Sequence, residues 1–242
     1  MQTGWRRRLR DIVLASGAGE WLTVREDLAR RYLRGEGIEI GAFCWPLRVP
    51  PGARVRYVDS ATKAELLATA AGQLTDAGMF PESIPETDVV DSAETLATFA
   101  DASLDFVIAN HVIEHVEDPI GALETMLRVL RPGGVLFVAL PDARHSFDKH
   151  RVRTSVEHVL RDHREGPEWS RRGHYEEWAT YVEGYGDVDT RAAQYAAADV
   201  RNHFHCWELE GFLDLLSAAG LPARLAHAQV NGEEFIVVLR RD

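Results

Sequence analysis

Short apolar runs that stop at glycine or an acid, separated by stretches of helical spacing, fill the chain up to about residue 140. The segment Gly37-Ile-Glu-Ile-Gly-Ala42 ends an apolar run at glycine, as a buried strand entering a tight turn does. The Arg54–Asp59 segment alternates and then stops at an acid, and Asp88–Asp91 and Leu104–Ala109 are further short runs rich in β-branched residues. Helical patterns lie between them, over Lys63–Leu74 and over Pro119–Leu130. In the second, Ala122, Leu123, Met126, Leu127 and Leu130 recur at helical spacing. A charged helix over about Trp21–Leu33 precedes them. Arg131-Pro-Gly-Gly-Val-Leu-Phe-Val-Ala-Leu-Pro141 reads as a helix stop, a glycine turn and a fifth strand. Alternation of strand and helix predicts a parallel sheet.

The end of the chain has a different pattern. A helix over Glu208–Ala219 is capped by Gly220, and the runs Ala223–Val230 and Glu234–Leu239 flank Asn231-Gly232, which predicts an antiparallel hairpin. Between Pro141 and Cys206 a long segment fits neither a strand nor a simple loop. It carries seven of the ten histidines (His145, His150, His158, His163, His174, His203 and His205) and the aromatic residues Trp169, Tyr175, Trp178, Tyr181 and Tyr185. Its expected place is an inserted cap.

A length of 242 residues, 45% hydrophobic and 27% charged, suits one α/β domain with an elaboration. The formal net charge of -11 would repel phosphate backbones, and the basic cluster Arg6–Arg10 is too short to reverse that field. Nucleic acid is therefore not an expected partner. Cys44 and Cys206 form no metal-spaced pair, so a reducing cytoplasm is the expected compartment. Nothing approaches a membrane span of roughly 20 apolar residues.

In an open parallel sheet, ligands bind beyond the carboxyl ends of the strands. Gly41 permits close approach of a ligand to the backbone there, and Asp59, eighteen residues on, supplies a carboxylate for ribose hydroxyls. Phe43 and Trp45 stand where a dinucleotide site needs further glycines, so a nicotinamide cofactor is disfavoured. His111-Val-Ile-Glu-His115 also spells the inverted zinc-protease signature, but it directly follows a buried strand and precedes Asp118-Pro119, the place of a strand-to-helix turn. A metalloprotease is therefore not expected.

Taken in order, Glu39-Ile-Gly41, Asp59, Asp91-Ser-Ala-Glu-Thr-Leu96, Leu104–Pro119 and Leu130-Arg-Pro-Gly-Gly134 resemble the class I S-adenosylmethionine-dependent methyltransferases. The resemblance runs from about residue 36 to 141. It implies a Rossmann-like α/β fold, with a mostly parallel seven-stranded sheet, an antiparallel C-terminal hairpin and a helical cap insertion. The corresponding division is a helical leader (1–34), a cofactor-binding domain (35–141 and 207–242) and a cap that meets substrate (142–206). S-adenosylmethionine is the implied cofactor. Glu39, Gly41 and Ala42 would face its methionine portion, Asp59 with Ser60 its ribose, Asp91 with Ser92 its adenine, and Asn110 with His111 its sulfonium end.

A hydroxyl acceptor must lose its proton during methyl transfer, and histidine is the natural base at neutral pH. His145 leaves the end of the fifth strand and is the first candidate, with His174 and His205 as alternatives. No spacing of ligands is specific enough to assert a metal, and none is expected. The segments Pro141–Asp148 and His203-Phe-His-Cys-Trp207 resemble those of methyltransferases from polysaccharide and glycosylated natural-product pathways, which points to a sugar-like acceptor. An amine acceptor, or a cofactor-binding scaffold without activity, stands as the alternative, and a homo-oligomer is compatible with either.

Overall fold

The β-branched and apolar runs pair as the alternation requires. In a computed structural model that describes residues 18–76 and 81–242, β1 (Gly35–Ile40), β2 (Ala53–Asp59), β3 (Val89–Val90), β4 (Leu104–Asn110) and β5 (Leu130–Pro141) are mutually parallel. Helix α1 (Ala18–Tyr32) precedes β1, α2 (Lys63–Asp76) follows β2, and α3 (Pro119–Val129) joins β4 to β5. The chain closes with α7 (Leu209–Ala219), β6 (Ala223–Asn231) and β7 (Glu234–Arg241). Strand β7 inserts antiparallel between β5 and β6, so the seven-stranded order is β3-β2-β1-β4-β5-β7-β6. The basic cluster Arg6–Arg10 lies outside the described residues.

Sheet residues alternate between two covered faces, as burial on both sides of a parallel sheet demands. Phe106 and Ile108 of β4 pack with Leu28, Ala29 and Leu33 of α1 and the loop that follows it, whereas Val107 and Ala109 pack with Leu123 and Leu127 of α3 and Phe212 of α7. The caps follow the sequence signals. Asp118 accepts a hydrogen bond from the Gly121 amide ahead of Pro119, and Gly220 ends α7 in the left-handed region at φ 64°.

Five further elements lie between β5 and α7: a short 3-10 helix (Phe147–His150), α4 (Val156–Glu165), α5 (Glu168–Glu177) continued by a π-helical turn (Trp178–Glu183), and α6 (Val188–Ala197). These helices are polar in sequence, yet they have an apolar centre of Tyr175, Trp178, Val182, Tyr195 and Phe204. The segment leaves and rejoins the sheet at one point, where the Ala143 amide donates to the Trp207 carbonyl. Of its aromatic residues, Tyr175 and Trp178 are buried, whereas Trp169, Tyr181 and Tyr185 remain more than two-fifths exposed. Among the described residues no helix is long and apolar enough to cross a membrane.

Candidate functional site

Strand order reverses between β1 and β4, so the loops leaving these two strands diverge and open a crevice at their carboxyl ends. Register decides what meets there. Ile40 stands opposite both Val58 and Ala109, so Gly41 follows beside Asp59 on one side and Asn110 on the other; Asp59 itself stands opposite Val90, next to Asp91. Glu39, Gly41, Asp59, Asp91, Asn110 and His111 thus occupy four adjacent strand ends.

Gly41 adopts φ 62°, and a Cβ there would lie 3.3 Å from Val112 Cγ2, so the turn needs the residue without a side chain. Ala42 closes this turn by accepting from the Trp45 amide. Glu39 is buried and receives the Leu47 amide on both oxygens at 3.0 Å. Burial pushes its carboxyl up to about 8, against the pull of Leu47 and of Arg25. Asp59 is part-exposed, and its Oδ1 takes the amide and hydroxyl of Ser60. Desolvation raises its carboxyl above the usual range despite these bonds.

Asp91 is held within its own loop. Its Oδ1 accepts from the amides of Ser92 and Ala97, and its Oδ2 from the amide and hydroxyl of Thr98. Four bonds exhaust a carboxylate's acceptor sites, so Asp91 shapes the 91–98 loop rather than presenting free oxygens. Those bonds hold its carboxyl below the ordinary value although desolvation acts the other way. Ser92 is exposed on that loop.

Asn110 carries the clearest sign of a ligand. Its side-chain amide is buried, and neither Nδ2 nor Oδ1 has a hydrogen-bond partner among the described residues. Such groups are rarely left unpaired, because the desolvation cost is not recovered. His111 follows in the left-handed region at φ 55°, with its amide on the Ala139 carbonyl. Its ring meets a charged network that sequence reading missed. Nε2 lies 2.7 Å from Arg25 Nη2 and 2.9 Å from Glu234 Oε2, and Nδ1 lies 3.4 Å from Glu114 Oε1. Burial opposes the imidazolium, but the two carboxylates outweigh it and raise the pKa. Glu234 also binds Arg25 through two guanidinium nitrogens and receives Asn231 Nδ2 at 2.6 Å. Only the fold could reveal this set, since Arg25 and Glu234 are 209 positions apart.

The motif His111–His115 does not form a zinc-protease helix. Residues Ile113–His115 make a single 3-10 turn, and His115 donates Nδ1–H to the Arg201 carbonyl.

The three candidate bases part company. His145 is exposed on the turn after β5, with its amide on the Asp142 carbonyl. His174 and His205 are buried in the cap, where burial first, and neighbouring histidines second, push His174 down to about 3 and His205 well below its ordinary value. Their imidazoles touch each other and His158, with ring centres 4.9 to 5.8 Å apart. A second buried group sits nearer the sheet: Asp148 receives His203 Nδ1 at 2.8 Å and Arg151 Nη1 at 2.9 Å. Desolvation notwithstanding, these two partners hold the Asp148 carboxyl at about 2.

Among the described residues two groups could hold a metal ion: His158, Asp162, His174 and His205 in the cap, and Glu114, His115 and His203 between cap and sheet. A crevice of about 160 Å³ separates Glu114, Pro141, His203 and Trp207. None of that space is roomy enough to seat a water molecule, so it is a seam rather than an acceptor pocket.

A family model described as a methyltransferase domain matches residues 35–138. An uncharacterized methyltransferase of Mycolicibacterium gilvum is 35% identical over 86 residues, covering 35% of this chain and 33% of that protein, so the match spans about a third of its relative's length. Among solved structures, an S-adenosylmethionine-dependent methyltransferase of Thermotoga maritima, described as a possible histamine N-methyltransferase, superposes with a TM-score of 0.51 at 18% identity, covering 96% of this chain and 93% of that one. An S-adenosylmethionine-dependent methyltransferase of Aquifex aeolicus gives 0.49 at 11% identity, covering 97% and 98%. At such identities the likeness is one of fold.

Proposed function

We propose that the chain, whose residues 35–138 match a methyltransferase-domain model, is a class I S-adenosylmethionine-dependent methyltransferase that methylates a hydroxyl group on a sugar or small glycosylated metabolite. The observation that carries the cofactor half of this reading is the buried, unpartnered amide of Asn110 beside the left-handed Gly41. A polar ligand with both donors and acceptors satisfies that amide, and the bare Gly41 backbone lets the ligand come close. Asp59 would hold ribose hydroxyls, Ser60 fixes the Asp59 carboxylate, and the 91–98 loop shaped by Asp91 would border adenine. When bound, S-adenosylmethionine supplies an electrophilic methyl group on a sulfonium.

The remaining work falls to the protein: alignment of the acceptor and removal of its proton. His145 alone of the three candidate bases is exposed, and it stands at the carboxyl end of β5, on the same edge of the sheet as Asn110. His174 and His205 are enclosed in the cap and have no open path to an acceptor. The exposed rings of Trp169, Tyr181 and Tyr185 offer flat apolar faces of the kind sugars stack on. Cys44 and Cys206 are both free, which supports a cytoplasmic setting.

The test is methyl transfer from S-adenosylmethionine against a panel of sugar nucleotides, glycans and amines. On a hydroxyl acceptor, His145→Ala should lower turnover by roughly 10² to 10⁴ with cofactor affinity intact. Normal turnover in that variant would remove His145 from catalysis. Transfer to amines alone would replace the hydroxyl reading with N-methylation, and cofactor binding without any transfer would leave a scaffold.

A further inference from the structure

We propose that His158, Asp162, His174 and His205 form a closed, four-ligand site for a divalent transition metal of the zinc type. One ligand atom from each residue lies within 4.8 Å of all the others. His158 and Asp162 are one helical turn apart on α4 and so share a face. His158 Nε2 lies 3.1 Å from Asp162 Oδ2 and 3.1 Å from His174 Nε2. A tetrahedral metal with bonds of 2.0–2.1 Å places neighbouring ligand atoms roughly 3.3 Å apart, so these two spacings are close to those of a loaded site.

The pattern of unmet hydrogen bonds points to the same centre. His205 Nδ1 and Asp162 Oδ2 are fully buried and make no hydrogen bond of normal geometry among the described residues, Oδ2 having only its close approach to His158 Nε2. Their opposite atoms are engaged: Ser170 Oγ donates to Asp162 Oδ1 at 2.8 Å, and His205 Nε2 faces the Glu117 carbonyl at 3.4 Å. An outer carbonyl that takes the Nε2 proton leaves the lone pair on Nδ1, which is how metal-binding histidines are oriented. Three imidazoles and one carboxylate suit zinc and its neighbours rather than magnesium or calcium. With four protein ligands the coordination is complete, so the ion would tie α4, α5 and the returning segment before Trp207 together rather than activate water. The site is independent of the methyltransferase reading, which stands or falls separately.

The experiment uses the full chain, stripped with a chelator and titrated with cobalt(II) chloride, then with zinc chloride. One equivalent of cobalt should produce the intense visible bands of tetrahedral coordination, which zinc should abolish. His174→Gln and His158→Gln, each verified as folded by circular dichroism, should lose those bands, and Ser170→Ala should weaken zinc binding about 10- to 100-fold through its effect on Asp162. His115→Gln should leave the cobalt spectrum unchanged. Absence of a tetrahedral spectrum in the wild type overturns the proposal. So does a spectrum that survives His174→Gln and His158→Gln but disappears in His115→Gln, which would put the ion on Glu114, His115 and His203.

Discussion

Replacement of Glu234 by glutamine tests the buried network at the end of β4 more severely than any other single change. The side chain is fully buried and accepts from two nitrogens of Arg25, from Asn231 Nδ2 and from the His111 ring. Glutamine keeps the shape, but it removes the charge and turns one acceptor into a donor that faces a guanidinium. Arg25, itself 7% exposed, would become an unpaired buried cation. Breaking such a pair from one side costs about 3–5 kcal/mol. For a chain of this size each kcal/mol moves the melting temperature by about 2–4 °C, so Glu234→Gln should lower it by roughly 6–20 °C. Urea unfolding should show the same loss as a lower midpoint with an unchanged slope. The double replacement Arg25→Met with Glu234→Leu should recover most of the stability, because neither charge is then left behind. A loss under about 1 kcal/mol in the single variant would mean that the pair is solvated in solution, and the burial argument would fail.

Other expectations follow from the strand ends. Gly41→Ala forces a side chain into the left-handed region and against Val112, so it should destabilise the fold by about 1–2 kcal/mol and weaken S-adenosylmethionine binding; an unchanged affinity by calorimetry would move the cofactor away from this turn. Glu39 has a carboxyl raised to about 8 in the folded chain, so folding favours its protonated form. Its contribution to stability is fully present below about pH 4.5 and is lost as pH rises through about 8. Between those values, wild type should therefore lose stability relative to Glu39→Gln, and parallel stability curves for the two proteins would contradict the assignment.

The frame of the fold is legible because its signals are local. Gly41, Asp59 and the Asn231-Gly232 hairpin each mark the end of an element within a few residues, and β6 and β7 pair antiparallel across that last turn as their pattern requires; the glycine turn expected after Arg131 is instead taken up as an irregular start of β5, where the register with β4 shifts. Seven strands and the order in which they meet place Glu39, Asp59, Asn110 and His111 on one edge. What stays hidden depends on distance along the chain. Arg25 is an ordinary polar position on a charged helix until β7 delivers Glu234 to it. Asp91 looks like a ligand-facing acid, and only the curl of residues 92–98 shows that its oxygens are already taken. The cap histidines show the same limit. His158 and Asp162 have a readable helical spacing, but His174 and His205 arrive from other segments, so their convergence has no signature in sequence.

The central claim, that the edge formed by β1, β2 and β4 holds S-adenosylmethionine, is tested most directly by calorimetric titration of wild type and Asp59→Ala with S-adenosylmethionine and, separately, with NADH. The wild type should bind one S-adenosylmethionine per chain and ignore NADH. Loss of the charge-assisted bonds to ribose in Asp59→Ala should cost about 1.5–3 kcal/mol, a 10- to 150-fold weaker Kd. Saturable NADH binding with no S-adenosylmethionine binding would contradict the account, and an unaltered Kd in Asp59→Ala would remove Asp59 from the site.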